Sequence, residues 1–384
     1  MQKKHLGKFG KMTSSNLFNG IFKDKTVFVT GHTGFIGSWL TEWLYELGAN
    51  VVGYSLESTT VPSLFNILGL EKRITHIIGD INNTENLQNE IQKHSPEIVF
   101  HLAAQSLVKQ SYENPLETFQ TNIIGTANLL QIIKDENKIK ICIIMTSDKC
   151  YQNVESSHAY VEDDPLGGDD PYSASKGAAE IITNSYKKSF FVDNNEKQTK
   201  IATVRAGNVI GGGDWASDRI IPDCIKSFTQ KNPVHIRHPD AIRPFQYVLE
   251  PISGMFCLAN KMWNDKSFSE SWNFGPSHTD TICNVKQMVE KVIKNWGGSA
   301  SYDINNKKSF KESNFLLLNS QKARNKLNWH SVFDIEKTIT ETIDWYKTYY
   351  YKIDEISQYS KNCIQSYVKH AEELKLKWAR KTIE

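Results

Sequence analysis

The amino-acid sequence predicts an α/β protein built on a doubly wound, mostly parallel sheet, with a smaller, discontinuous domain supplied mainly by the C-terminal half. Three observations carry this. A glycine turn joins a β-branched apolar run to an amphipathic helical run near the start of the chain. Strand-like runs then alternate with helical patterns up to about residue 210. The strand-like runs end in unusual polar residues, and such sheets bind ligands beyond the carboxyl ends of their strands.

Residues 26–30, TVFVT, form the first apolar run, and Gly31, Gly34 and Gly37 follow at three-residue spacing. Gly31 allows a sharp exit from the strand, Gly34 a close approach of backbone to a pyrophosphate, and Gly37 close packing of helix on sheet. The helix N-terminus offers free N–H groups and a positive dipole end to phosphates. Ile36, Leu40, Leu44 and Leu47 keep one helical face apolar, and a strand at residues 51–56 closes a βαβ unit of about 30 residues. That context makes a bare glycine turn the minority reading and a Rossmann-type sheet the expected one. His32, inside GHTG, reads as part of the turn.

A strand at 74–78 leads to Gly79, Asp80 and Ile81, and one at 97–102 runs into HLAAQ. A helix over 116–134 precedes a strand at 141–146 that ends in TSDKCY; a helix over 172–188 and a strand over 200–210 extend the sheet. Residues 23–210 are therefore expected to form the dinucleotide-binding domain. From Gly211 the pattern turns irregular, with a short strand near 234–236 and a helix from about Asp334. Residues 211–350 are expected to form mainly the second domain, with pieces returning to the first. Residues 1–22 read as a flexible tail or edge-capping extension, and 351–384 as a helical tail.

The chain has 384 residues, enough for one large domain or two moderate ones. Its 45 basic and 43 acidic residues leave a net charge of +2, which gives no electrostatic case for nucleic acid or a membrane surface. Cys142, Cys150, Cys224, Cys257, Cys283 and Cys363 form no CxxC pair and no metal-ligand spacing, so no metal is expected and the thiols suit a reducing compartment. No run is apolar for long enough to span a bilayer or to serve as a signal peptide, and a cytoplasmic location is expected.

Tyr172 and Lys176 lie four apart in PYSASKGAAE and face the same side of a helix. A neighbouring ammonium favours phenolate, so the pair could take a proton from an alcohol. Such pairs also occur on ordinary helix surfaces. Ser147 tips the balance, because it ends the preceding strand and could hydrogen-bond the same alcohol oxygen.

The glycine turn, strand-end serine and YxxxK together resemble the extended short-chain dehydrogenase/reductase family, in its nucleotide-sugar-modifying branch, over residues 24 to 350. The resemblance implies NAD as cofactor, with Lys176 holding the nicotinamide ribose, Tyr172 as base and Ser147 orienting the substrate hydroxyl. It further implies that Gly31, Thr33, Gly34, Phe35, Ile36 and Gly37 form the cofactor turn, that Asp80 and Ile81 meet adenine, and that Ala103 and Ala104 line the cofactor. Dehydratases of the branch carry an acid directly after the serine or threonine, and this chain has Asp148-Lys149 there. TVPSLF, RAGNVIGGGDW and IRPFQYVLEP agree with that subgroup. Asp148 is then the acid toward a leaving hydroxyl, and Lys149 either a base or a substrate binder. Gln105, Asn208, Arg219 and Arg243 match substrate positions, the arginines as forks for a diphosphate.

Two features depart from the family. The second strand ends at Ser55, with Glu57 two residues on, where an acid commonly bonds the adenosine ribose, and position 36 is Ile where close relatives often have Lys. The resemblance implies a homodimer through the helices at 116–133 and 172–188, and a role in making deoxysugars for bacterial surface polysaccharide such as O-antigen. The rivals are a 4,6-dehydratase, C4 epimerase or C4 oxidase acting on another nucleotide sugar, a GDP-, dTDP- or UDP-linked hexose or heptose, and, from a different class, a non-catalytic NAD sensor.

Overall fold

The structure, a computed structural model, describes residues 14–191, 199–276, 283–304 and 315–380. The first thirteen residues of the expected tail and the last four of the chain lie outside the described residues. Seven parallel strands form the central sheet: β1 (Thr26–Thr30), β2 (Asn50–Ser55), β3 (Thr75–Ile78), β4 (Ile98–His101), β5 (Ile141–Met145), β6 (Lys200–Ala206) and β7 (Ser271–Phe274). Their spatial order is β7-β6-β5-β4-β1-β2-β3. β1 pairs with β2 on one side (Val27 with Val51) and β4 on the other (Val27 with Ile98), so the chain reverses direction across the sheet at β1. That switch point opens a crevice at the carboxyl ends of β1 and β4.

The sheet is buried on both faces, which is why its strands read as continuous apolar runs. Val27 and Val29 pack into one core cluster and Phe28 into the other; Ile141 and Ile143 separate from Cys142 and Ile144 in the same way. This is the two-residue period of a strand acting on an all-apolar segment.

Helix α1 (Phe35–Glu46) follows the glycine turn and buries Trp39, Leu40, Trp43 and Leu44. It stops at Leu47, where Gly48 takes φ +81°. Asn83 caps α2 (Thr84–His94) through the Asn86 amide. The expected helix over 116–134 is real but interrupted: Pro115–Phe119, a π turn at Gln120–Ile124 and Gly125–Asp135 run on as α3. α4 (Pro171–Phe190) starts at an Asp170 cap with proline in its first turn.

The expected strand over 200–210 does not run straight through. β6 ends at Ala206, Asn208 turns the chain at φ +44°, and Val209–Ile210 leaves the sheet to pair with Gln246–Tyr247. The remaining short pairs are Val234–Ile236 with Tyr302–Ile304, Ile242–Arg243 with Cys283–Asn284, and Ala159–Tyr160 with Leu317–Leu318. After β6 the chain also forms α5 (Ile220–Thr229), α6 (Leu249–Asn264), α7 (Val285–Trp296), α8 (Ile335–Tyr351) and α9 (Ile356–Glu373). β7 re-enters the sheet between these excursions, with Trp272 beside Val204.

Residues 17–22 differ from the flexible tail expected of 1–22. Leu17, Phe18, Ile21 and Phe22 are buried, and the Phe18 ring stacks on Trp378 at 4.9 Å while meeting Trp43 edge-on at 5.7 Å. The apolar LFNGIF segment needs a partner, and the C-terminal Trp378 supplies it.

Glu250 ties the C-terminal helices to the core. It is fully buried, accepts the Val332 and Phe333 amides and receives the Tyr367 hydroxyl at 2.7 Å. Burial pushes its carboxyl up from 4.5 to about 7, against the pull of those donors. A carboxyl raised on folding contributes stability that is complete below its unfolded value and lost as pH rises through the folded one. Between about pH 4.5 and 8 the Glu250→Gln variant is therefore expected to show a flatter decline in thermal midpoint than the parent. Midpoints that decline in parallel would contradict the assignment.

Candidate active site

The turn after β1 has the shape a dinucleotide needs. Gly31 sits at φ +75°, and a Cβ there would lie 2.6 Å from the Ala103 amide nitrogen; one on Gly37 would lie 2.1 Å from the Gly31 carbonyl oxygen. On Gly34 it would meet only the Gly31 oxygen, at 3.4 Å, so this glycine faces open space. Gly34 is the N-cap of α1 and supplies no side chain, which leaves the helix amides available to an anion. Thr33 bonds Ser55 and the Leu56 carbonyl at 2.9 Å each, joining the turn to the end of β2. These residues fit a pyrophosphate.

His32 has the role expected for the turn. Its Nε2 lies 2.7 Å from His76 Nδ1, its ring fills the space above Gly53, and burial holds it down to about 3, so the ring is neutral. Asp80 accepts the Asn82 amide at 2.8 Å just beyond β3, and Ile81 is buried against Gly125. Ala103 donates its amide to Thr30 at 3.2 Å, and Ala104 is half-buried beside it. His101, neutral with burial holding it to about 3, bridges Thr30 and Thr126.

The reactive cluster lies at the next strand end. β5 ends at Met145, and Ser147 caps the short turn Asp148–Cys150 by accepting the Lys149 amide at 3.2 Å. The Ser147 hydroxyl donates to Asp148 Oδ1 at 2.9 Å. Asp148 Oδ2 is buried and has no hydrogen-bond partner. Burial raises this carboxyl, with the charge of Lys149 opposing. Lys149 lines a solvent-open space of about 500 Å³ together with Tyr112, Asn153, Asp170 and Ser173.

Tyr172, on the first turn of α4, lies close enough to Ser147 for that hydroxyl to act on its proton affinity. The Lys176 Nζ is 5.9 Å from the centre of its ring. The expected lowering of the phenol by this ammonium is overturned. Burial pushes Tyr172 up to about 12, outweighing the opposing pull of the Ser147 hydroxyl, and the same burial lowers Lys176 to about 8. The physical reason is shared desolvation: both side chains lie in a site that disfavours either charge.

Chemically, the cluster offers a phenol, a hydroxyl and an acid with one unpartnered oxygen at neighbouring positions, on the same sheet as a turn shaped for a dinucleotide. The family model for GDP-mannose 4,6 dehydratase matches residues 28–342, which include all of these groups. The chain belongs to that family.

Within the GDP-mannose 4,6-dehydratase family's wider kin, CDP-glucose 4,6-dehydratase of Salmonella typhimurium is 46% identical over 341 residues, covering 88% of this chain and 94% of that protein. dTDP-glucose 4,6-dehydratase of Bacillus anthracis, solved with NAD, superimposes with a TM-score of 0.70 at 20% identity, over 85% of this chain and 98% of that one. UDP-glucuronic acid 4-epimerase of Bacillus cereus, solved with UDP-glucuronic acid and NAD, gives 0.72 at 23% identity, over 84% and 99%. At such identities the two structures speak to the shared fold.

For a member of the GDP-mannose 4,6-dehydratase family, the remaining residues divide unequally. Asn208 is half-exposed at the turn after β6. Arg219 is engaged by Asp214 Oδ2 and Ser106 Oγ at 3.0 Å each, which sets its fork near the site, and its charge acts on Tyr172. Arg243 is buried and its charge acts on Asp148. Gln105 is held inside the protein: its amide donates to Thr118 and to the Leu107 carbonyl, and its carbonyl accepts the Leu107 amide. Those bonds use both amide hydrogens and one of the two acceptor positions of its carbonyl.

Several supporting residues escaped the sequence reading. Asn122, at the π turn of α3, grips the Gln105 backbone from both sides and donates to Ser175 at 2.9 Å, which locks the strand end to α4. Glu180, one turn beyond Lys176, accepts from Thr146, Thr203 and Arg205. Burial alone would raise Glu180, but the Arg205 hydrogen bond and charge leave it below 4.5. The helical spacing Tyr172, Lys176, Glu180 was the available signal for it.

Proposed function

We propose that the chain is an NAD-dependent CDP-glucose 4,6-dehydratase, converting CDP-D-glucose to CDP-4-dehydro-6-deoxy-D-glucose. The observation that carries the reading is Asp148, a buried, raised carboxyl with an unpartnered oxygen, directly after the serine whose hydroxyl donates to its other oxygen. Water elimination needs an acid at the departing hydroxyl, and C4 epimerisation does not. The choice of CDP-glucose among nucleotide sugars rests on the likeness to the Salmonella protein and on the Asp148-Lys149 pair.

Tyr172 accepts the proton of the sugar's C4 hydroxyl while Ser147 hydrogen-bonds the same oxygen. NAD, when bound, supplies the hydride acceptor at C4, the donor at C6 and a positive charge in the site. The new C4 ketone acidifies the C5 hydrogen, and Lys149 either takes that proton or holds the sugar. Asp148 gives its proton to the C6 oxygen as the C6–O bond breaks, and water leaves. A proton returns to C5, so the net change is loss of one water. Gly31, Thr33, Gly34, Phe35, Ile36 and Gly37 would hold the pyrophosphate, Asp80 and Ile81 the adenine end, and Lys176 the nicotinamide ribose. Asn208, Arg219 and Arg243 would face the nucleotide sugar.

We also infer a homodimer and a cytoplasmic location. Leu116, Ile124, Ile181 and Phe190 are exposed on α3 and α4, the helices expected to pair, and the six cysteines are free and buried. Among the described residues no helix is long and apolar enough to cross a membrane.

The test is mass spectrometry of the protein incubated with NAD and, in separate tubes, CDP-glucose, dTDP-glucose and GDP-mannose. Water loss in the CDP-glucose tube is expected. Loss from another sugar overturns the nucleotide choice, and unchanged mass in all three overturns the dehydratase reading in favour of an epimerase or a sensor.

A further inference from the structure

We propose that Gly207 is a positioning residue for Asp148: the missing side chain at 207 creates the space that the carboxyl occupies. A Cβ on Gly207 would lie 1.8 Å from Asp148 Oδ2, 2.2 Å from Cγ and 2.8 Å from Oδ1. All three are far inside contact distance. Gly207 is not in the left-handed region, unlike Gly31 or Gly213, so the requirement at 207 is for space and not for backbone freedom.

Neither side can easily give way by moving the backbone. The Gly207 carbonyl accepts from Gln246 Nε2 at 3.1 Å, and the same amide donates to the Phe274 carbonyl at 2.8 Å, which pins the turn to the end of β7. The next carbonyl, of Asn208, accepts the Gln246 amide at 3.2 Å. On the other side, Asp148 opens a short turn capped by Ser147 and is anchored through Oδ1. A side chain at 207 therefore displaces the carboxyl itself. The break in β6, which ends the sheet strand one residue earlier, serves the same end by carrying the chain away from the acid.

The inference rests on the dehydratase reading for what Asp148 does, but not for where it sits. Its test compares the parent, Gly207→Ala, Asp148→Ala and the double variant by thermal unfolding and by product analysis with NAD and CDP-glucose. Gly207→Ala is expected to lower the unfolding midpoint in the parent and to do so far less in the Asp148→Ala background, since the clashing atoms are gone. Equal losses in both backgrounds overturn the proposal. If Gly207→Ala alone does not fold, recovery of folding in the double variant supports it, and failure of both overturns it. In turnover, Gly207→Ala is expected to slow water loss about 100-fold while the ultraviolet signal of reduced nicotinamide from C4 oxidation persists. Loss of both steps together overturns a positioning role. Should the parent itself release no water from any sugar, the dehydratase reading fails, and the unfolding cycle alone still decides the positioning claim.

Discussion

Replacing Tyr172 with Phe is expected to lower turnover of the nucleotide sugar by about 10³-fold, within the range of general acid–base catalysis, with little change in KM. The phenol is the group on which Ser147 acts, and the buried ring stays in place without its oxygen. Steady-state kinetics on product mass measures this. A Phe variant that keeps within about tenfold of the parent rate would remove Tyr172 as the base. The neutral phenol, pushed up to about 12, adds a pH signature: the parent rate should rise toward alkaline pH where loss of that proton limits the step. The Phe variant should lose that rise.

Replacing Asp148 with Asn is expected to separate the two halves of the reaction. Asn keeps the size and can still accept from Ser147, but it has no proton to give to a leaving hydroxyl. Reduced nicotinamide should accumulate on mixing with sugar while water loss falls by about 10²- to 10³-fold. An Asn variant that oxidises and dehydrates at parent rates would exclude Asp148 as the acid. The carboxyl is raised by burial, so the acid form dominates at low pH and is lost as pH climbs through its folded value. The water-loss step should therefore decline with rising pH in the parent. Stability runs the same way: the contribution is complete below about 3.8 and lost as pH rises, so the Asn variant should show a weaker pH dependence of its unfolding midpoint.

These two residues also show how far a sequence reaches. Tyr172, Lys176 and Ser147 were legible because a helical spacing and a strand end put them on one side of one site, and local periodicity is enough to say so. Their proton affinities were not legible. Proximity of Lys176 suggested a lowered phenol, whereas burial raised it, and burial is a property of everything packed around the pair. The surroundings of Gln105 were hidden for a related reason. Its place after β4 looks like a ligand position, while in the structure its amide hydrogens go to Thr118, on the following helix, and to the neighbouring Leu107 carbonyl.

The glycine turn, the alternation of strand-like and helical runs and the line of chemistry-bearing strand ends were determined by the sequence alone, because each depends on residues within a turn or two of one another. The packing of residues 17–22 onto Trp378, the break after β6 and the empty space at Gly207 that Asp148 fills were decided only by the tertiary structure. Each joins segments far apart in the chain, and the steric and dielectric terms that govern them exist only once those segments meet.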